Sequence, residues 1–238
     1  NSASLGGNVA TNAGGMRAIK YGVTRHQVLG LEAVLATGEV IRTGGKFVKA
    51  TTGYDLTQLI IGSEGTLAIV TEATLRIYPR PAHTATLLVP FATLEDVAAA
   101  VPAIVRSGVG PLILEYVDGA GLALLTANVG LELGIAADVQ EAAAAYLIVV
   151  LEGHHDTRVD EDLVALGDQL HELAALDIYI LPPASAALLV GEQHLAVQPD
   201  VLQLVHLAAD VGHDAQAAHA LDQLFLLERV RRPRDDVH

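Results

Sequence analysis

The chain contains no cysteine. That excludes a disulfide framework, a thiolate nucleophile and a cysteine-ligated iron–sulfur cluster, and it fits a reducing compartment such as the cytoplasm. Long apolar runs are also missing. None reaches the roughly 18 residues that a membrane-spanning helix needs, and the first residues lack the charged and apolar regions of a signal peptide. Two catalytic signatures are absent as well: there is no G-x-x-x-x-G-K-[ST] phosphate loop and no G-x-S-x-G nucleophile elbow, so P-loop chemistry and acyl transfer through a serine are unsupported. Basic residues are few, 14 Lys and Arg against 28 Asp and Glu. A surface that neutralises phosphates needs clustered cations, so this balance argues against nucleic acid as a partner.

Apolar material is plentiful. Of the 238 residues 51% are hydrophobic, enough to bury the core of one large domain or two small ones. The net charge of −14 is unevenly spread, with +3 on residues 1–80 and −17 on the remainder. Such a break puts a boundary near Pro79–Pro81 and makes the cationic part the one suited to an anionic ligand.

The stretch that organises the chain is its start, Gly6-Gly7-Asn8-Val9-Ala10-Thr11-Asn12-Ala13-Gly14-Gly15, followed by Tyr21-Gly22. Glycine loses the most entropy on ordering and offers no side chain for packing, so this run predicts neither an ordinary helix nor a strand. It predicts exposed backbone with positive φ, whose N–H groups form a concave anion site, with Asn8, Thr11 and Asn12 adding side-chain donors and acceptors. A Gly-rich surface turn is the plainer alternative for this stretch taken alone.

Further segments change that balance. GGNVATNAGG, YGVT, VLGLEAVLATGEVIRTGG, TTGYDL and GSEGTLAIVTEATLRIYPRP, in this order and spacing, closely resemble the second half of the PCMH-type FAD-binding domain of the FAD-linked oxidases, with glycolate oxidase flavoprotein subunits and D-lactate dehydrogenases as similar members. The resemblance is dense over residues 1 to about 81. It implies FAD as cofactor and, from matching motif positions, contacts to it from Gly7, Asn8, Thr11, Asn12, Gly14, Gly15, Tyr21, Gly22, Glu64, Gly65 and Ile69. It also implies oxidation of a small 2-hydroxy acid such as glycolate or D-lactate, with a hydride passing to the flavin and then to a separate acceptor that the motifs do not identify. The chain begins inside a motif and its one methionine is Met16, so the expectation is a fragment whose upstream half-domain is missing.

Three departures accompany the resemblance. Ala68 stands where relatives commonly have glycine, and a methyl group there would crowd a ligand that approaches the backbone. Beyond Ala184 neither the family's Arg-containing aromatic helix, which grips the substrate carboxylate, nor its H-x-G-D-G-N-x-H metal segment is found. The catalytic base and the carboxylate anchor are therefore not assigned, and no metal site is expected. Two alternatives follow: a non-catalytic truncated remnant of such an enzyme, or an FAD oxidoreductase acting on another substrate class.

The expected fold class is α+β: residues 1–81 as the C-terminal half of the FAD-binding domain, 82–183 as a ferredoxin-like substrate domain and 184–238 as a helical tail departing from the family. Apolar runs flanking Thr37-Gly38 predict a β-hairpin. Asp55 caps a short helix reaching Ile61, and 66–78 reads as a long strand. From His83 onward strands at 84–89, 112–117, 146–151 and 177–181 alternate with helices at 93–107, 122–128 and 159–175, which suggests an antiparallel sheet with helices on one face. Helices are also expected at 184–196, 201–211 and 215–230.

Other polar residues carry weaker signals. Glu64 stands between Ser63 and Gly65, where a carboxylate either lines the cofactor pocket or stabilises a turn. Tyr21 and Tyr54 either pack on the cofactor or fill the core. Lys46 and Lys49 read as solvated, and His154-His155-Asp156 reads as a polar turn. His206, Asp210 and His213 share the spacing of one helix face, as metal ligands do, but no fourth ligand accompanies them.

Overall fold

Ser4 starts the first element. Its hydroxyl accepts the Gly7 amide and caps α1 (Leu5–Thr11), so the glycine-rich run is helical where the sequence predicted no regular structure. Each helical glycine costs about 1 kcal/mol relative to alanine. The N-cap and the complete burial of Val9 among Val28, Leu31, Ala33, Ile60, Ile61 and Ala68 offset that cost. The computed structural model describes residues 3–190 apart from residue 48. The expected helices at 201–211 and 215–230, with His206, Asp210 and His213, lie outside the described residues.

After α1 come a single turn of helix, α2 (Ala18–Tyr21), a 3-10 turn (Thr24–His26), and the hairpin β1 (Val28–Leu35) and β2 (Val40–Gly44) around Thr37-Gly38. Asp55 accepts the Gln58 amide and begins α3 (Leu56–Ile60) as expected. The buried Thr57 hydroxyl donates to that of Thr43 at 2.8 Å and pins α3 to β2. The following strand, β3 (Ala68–Leu75), starts later than the sequence pattern suggested. Both the amide and the hydroxyl of Thr66 turn back to the Ser63 carbonyl, which holds 63–66 in a turn. The three strands form an antiparallel sheet in the order β2-β1-β3.

A second sheet begins beyond the prolines. It contains β4 (His83–Phe91), β5 (Ile113–Asp118), β6 (Ala145–Gly153) and β7 (Tyr179–Leu181), antiparallel throughout in the order β5-β6-β4-β7. The connections are α4 (Leu94–Arg106), α5 (Gly119–Val129) with α6 (Ala137–Ala142), and α7 (Asp156–Glu172), and α8 (Pro183–Val190) follows β7. This β-α-β-β-α-β order is the ferredoxin-like arrangement. Thr93 caps α4 by accepting the Asp96 amide.

Alternation along the strands divides the core. Leu87, Val89, Phe91, Leu147, Val149 and Leu151 meet α4 and α7 on one face. Leu88, Tyr146, Ile148 and Val150 meet Leu122 of α5 and Val190 of α8 on the other. Helices thus cover both faces, not one. β6 is buried at every position from Ala145 to Leu151, and such a run, apolar on both sides of the pleat, requires two covers. His154 to Asp156 form the expected polar connection, with His155 at the N-cap of α7.

Candidate functional site

The end of α1 is zipped to the turn after α3. The Gly62 amide donates to the Val9 carbonyl at 3.1 Å and the Glu64 amide to the Ala10 carbonyl at 3.0 Å. Asn12 stands at this junction in the left-handed conformation (φ 52), its side-chain oxygen accepting the Arg25 amide at 2.9 Å. Arg25 in turn donates through Nη2 to the Ile61 carbonyl at 3.3 Å and accepts at its own carbonyl from the Gln58 side chain at 3.0 Å. Its Nε is buried without a hydrogen-bond partner. Arg25 and Gln58 therefore hold the two candidate segments in register, a role the motifs did not single out although Arg25 directly follows YGVT.

Backbone geometry places the left-handed residues differently from expectation. Gly6, Gly7, Gly14 and Gly15 all lack positive φ; Asn12, Glu64 (φ 51) and Gly65 (φ 79) have it. Helix α1 absorbs the first pair of glycines, and its left-handed C-cap falls on Asn12. A glutamate held left-handed is strained by about 1 kcal/mol, a cost found disproportionately at ligand sites. Glu64→Gly is accordingly expected to raise stability by about 1 kcal/mol in urea titrations while weakening cofactor binding. Loss of stability together with loss of binding would show that the carboxylate serves the turn.

The site presents donors and room. The amides of Gly14, Gly15 and Gly65 have no hydrogen-bond partner among the described residues, and the Asn8 side chain also has none. The Thr11 hydroxyl, by contrast, is spent on the Gly7 carbonyl at 2.9 Å. A Cβ on Gly15 would meet nothing within 4 Å, so the chain's own packing does not demand glycine there. Ile69 is 61% exposed on β3, close beside Gly65, whereas Ala68 next to it points into the core. Its methyl group therefore leaves the open surface clear. Tyr54 is 96% exposed and fills no core, and Lys46 and Lys49 are exposed as expected.

Tyr21 and Gly22 have partners of their own. The Tyr21 hydroxyl donates to the Glu152 carboxylate on β6, which also takes the Lys20 ammonium at 3.0 Å. The ring lies 5.3 Å from that of Tyr78. Gly22 has φ +77, and a Cβ there would lie 2.2 Å from His26 Nδ1, so this glycine is required by the local turn. Burial first, then the Glu152 hydrogen bond, pushes the Tyr21 phenol from 10.0 up to about 12. A group raised in this way adds stability that is complete below the unfolded value of 10.0 and is lost as pH climbs through about 12. Phenolate absorbance should therefore contain a component with its midpoint near 12 that Tyr21→Phe removes. A component removed near pH 10 instead would mean a solvated hydroxyl.

The donor set suits a bound dinucleotide. Free backbone amides are donors of the kind a pyrophosphate needs, open space at Gly15 leaves room for a ligand to reach the backbone, and Ile69 is an exposed apolar side chain against which a ring would fit. Among the described residues no cluster of three His, Asp or Glu side chains could hold a metal, and no helix is long and apolar enough to cross a membrane.

Comparison with known proteins bears on the cofactor and the family. The family profile of the FAD linked oxidases, C-terminal domain, matches residues 80–208, and that of an FAD binding domain matches residues 1–44. The first of these runs beyond Ala184, where the sequence motifs had suggested that the family likeness stops. An uncharacterised FAD-linked oxidoreductase of Mycobacterium tuberculosis is 56% identical over 195 residues, 82% of this chain and 42% of that protein. The glycolate oxidase subunit GlcD of Bacillus subtilis is 42% identical over 162 residues, 67% of this chain and 33% of that protein. A D-lactate dehydrogenase of Anaerostipes hadrus is 36% identical over 178 residues, 75% of this chain and 38% of that protein. The chain thus spans roughly two fifths of the length of these relatives. Among solved structures, an alkyldihydroxyacetonephosphate synthase shares the fold with a TM-score of 0.59 at 24% identity, over 77% of this chain and 34% of that one. The chain belongs to the FAD-linked oxidases, flavoprotein oxidoreductases whose cofactor is FAD.

Proposed function

We propose that this chain contributes one wall of the FAD site and the substrate-side sheet of an oxidoreductase acting on a small 2-hydroxy acid such as glycolate or D-lactate. The observation that carries the cofactor half is the group of free amides at Gly14, Gly15 and Gly65, held in register by Asn12 and Arg25. The substrate class is supported by the identity to proteins named glycolate oxidase subunit and D-lactate dehydrogenase. Gly7, Asn8, Thr11, Asn12, Gly14, Gly15, Glu64, Gly65 and Ile69 form the proposed wall, with Tyr21 and Gly22 anchoring the arm beside it. A division into residues 1–81 on the cofactor side and 82–183 on the substrate side belongs to the same proposal.

Bound FAD would supply a two-electron acceptor for the hydride released as the alcohol carbon becomes a carbonyl. The chain's own part is binding and orientation. Arg25 places the Asn12–Gly15 arm against the Gly62–Gly65 turn, the amides of Gly14, Gly15 and Gly65 are left for the ligand, and Ile69 keeps one side of the ring environment apolar. Gly14, Gly15, Glu64, Gly65 and Ile69 are all exposed, and sites that hold such ligands tightly usually bury 70–90% of them. Fluorescence titration of the chain with FAD is therefore expected to give a dissociation constant of about 1 μM or weaker, since each decade of affinity corresponds to about 1.4 kcal/mol. In the FAD-loaded protein without oxygen, glycolate and D-lactate are expected to bleach the flavin absorbance. Bleaching by a phenol but by no hydroxy acid would overturn the substrate class, and FAD causing no change at residues 12–15 and 62–65 would overturn the cofactor wall.

A further inference from the structure

One carboxylate of the second sheet reaches the cofactor arm. Glu152 lies near the end of β6 with its side chain only 7% exposed, and it takes both the Tyr21 hydroxyl and the Lys20 ammonium. Tyr21 is held at three further points: its ring meets that of Tyr78, it packs against the second sheet's core, and its carbonyl accepts from the Gln27 side-chain amide. From there the contacts run back along the chain. Gly22 and His26 fix the turn, with the Val23 amide donating to His26 Nδ1 at 3.0 Å. The Val23 side chain lies against Gly14, its Cγ1 3.0 Å from where a Cβ would stand. Thr24 donates through both amide and hydroxyl to the Ala13 carbonyl, at 3.1 and 2.8 Å. An unbroken line of contacts therefore joins Glu152 to Ala13 and Gly14, at the base of the arm that carries the free amides of Gly14 and Gly15.

We propose that Glu152 is a positioning residue for the cofactor arm: acting through Tyr21 and Lys20, it sets where residues 13–23 sit against the substrate-side sheet, without touching the cofactor itself. Removing the carboxylate would leave the Tyr21 hydroxyl without its acceptor and the Lys20 ammonium without its counter-charge, and such half-broken pairs lose more than the pair was worth. The arm would then keep its turn at Gly22 but lose its anchor on β6. The consequence for FAD rests on the reading of Gly14 and Gly15 given above; the anchoring of the arm does not.

Amide hydrogen exchange on the full chain separates the two. In Glu152→Ala, exchange over residues 13–23 is expected to quicken by roughly tenfold or more, while residues 145–151 in the sheet and 62–66 in the opposite turn stay as in wild type. Glu152→Gln keeps an oxygen acceptor for Tyr21 and should restore much of the protection. Tyr21→Phe, which deletes one hydroxyl and leaves β6 untouched, should loosen the same segment to a smaller extent. Unchanged exchange at 13–23 in Glu152→Ala and Tyr21→Phe would overturn the proposal. So would loss of protection at 145–151 in Glu152→Ala with none at 13–23 in Tyr21→Phe, since Glu152 would then serve only its own strand. A glutamine variant as loose as the alanine variant would overturn the route through Tyr21. In parallel, FAD affinity should fall roughly tenfold in Glu152→Ala and less in Glu152→Gln, one decade per 1.4 kcal/mol. If FAD gives no protection to residues 13–15 of the wild-type chain, the cofactor wall fails while the exchange contrast still decides the anchoring.

Discussion

Gly15→Val is expected to leave stability within about 0.5 kcal/mol of wild type and to weaken FAD binding at least tenfold. Gly15 lacks positive φ, and a Cβ there would meet no atom within 4 Å. Valine therefore costs the fold little, and reduced freedom of the unfolded chain can even repay a few tenths of a kcal/mol. A ligand that approaches the Gly14 and Gly15 amides to hydrogen-bond distance has no room for two added methyl groups. Gly22→Val provides the contrast, because there the new side chain collides with His26 Nδ1 at 2.2 Å in a backbone that already has φ +77. That variant should lose stability and cofactor together. Urea denaturation beside a flavin titration reads both quantities. A Gly15→Val protein that binds FAD like wild type would remove Gly15 from the cofactor wall, and one that unfolds early would show that the space around it is needed by the chain.

Much of what is local in origin was legible in the sequence. The Thr37-Gly38 hairpin, the Asp55 and Thr93 caps and the strand at 84–89 each depend on a few neighbouring residues, and the structure has them in place. Helix α1 was missed because glycine propensity is a local quantity, whereas the burial of Val9 against β1 and α3 is a tertiary one. The second cover of the ferredoxin-like sheet was visible in principle, in the unbroken apolar run of β6, but period-two reasoning looks for one wet face. Arg25 and Glu152 were out of reach for another reason. Arg25 joins segments 13 and 36 positions away, and Tyr21 meets Glu152 across 131 positions. Such partners share no motif, so only the fold brings them together. The candidate residues themselves came from the family likeness; the structure gathers Asn12, Glu64 and Gly65 at one junction and sets Tyr21 on the neighbouring sheet.

Gly44→Ala is expected to be the most damaging single methyl group in the first sheet, at a cost of about 3–4 kcal/mol. Gly44 closes β2 with φ +63, where an L-residue is already strained, and its Cβ would lie 2.1 Å from the Leu29 carbonyl oxygen and 2.9 Å from both the Gly30 Cα and the Thr57 hydroxyl. Two of those three neighbours are backbone and cannot swing aside. Relief requires β2 to move off β1 at the Gly30–Gly44 pair, which also pulls apart the buried hydrogen bond between Thr43 and Thr57. That bond pins α3, and α3 delivers the chain into Gly62–Gly65, the half of the candidate site that faces Asn12. Small domains are stable by only about 5–15 kcal/mol, so a loss of this size should lower the urea midpoint substantially and loosen the Gly62 and Glu64 amides before the second sheet responds. Loss of FAD affinity should therefore track loss of stability in Gly44→Ala, where in Gly15→Val the two part company. A midpoint shift corresponding to less than about 1 kcal/mol would mean that the β1–β2 end relaxes cheaply, and that α3 does not depend on Thr43 for its place.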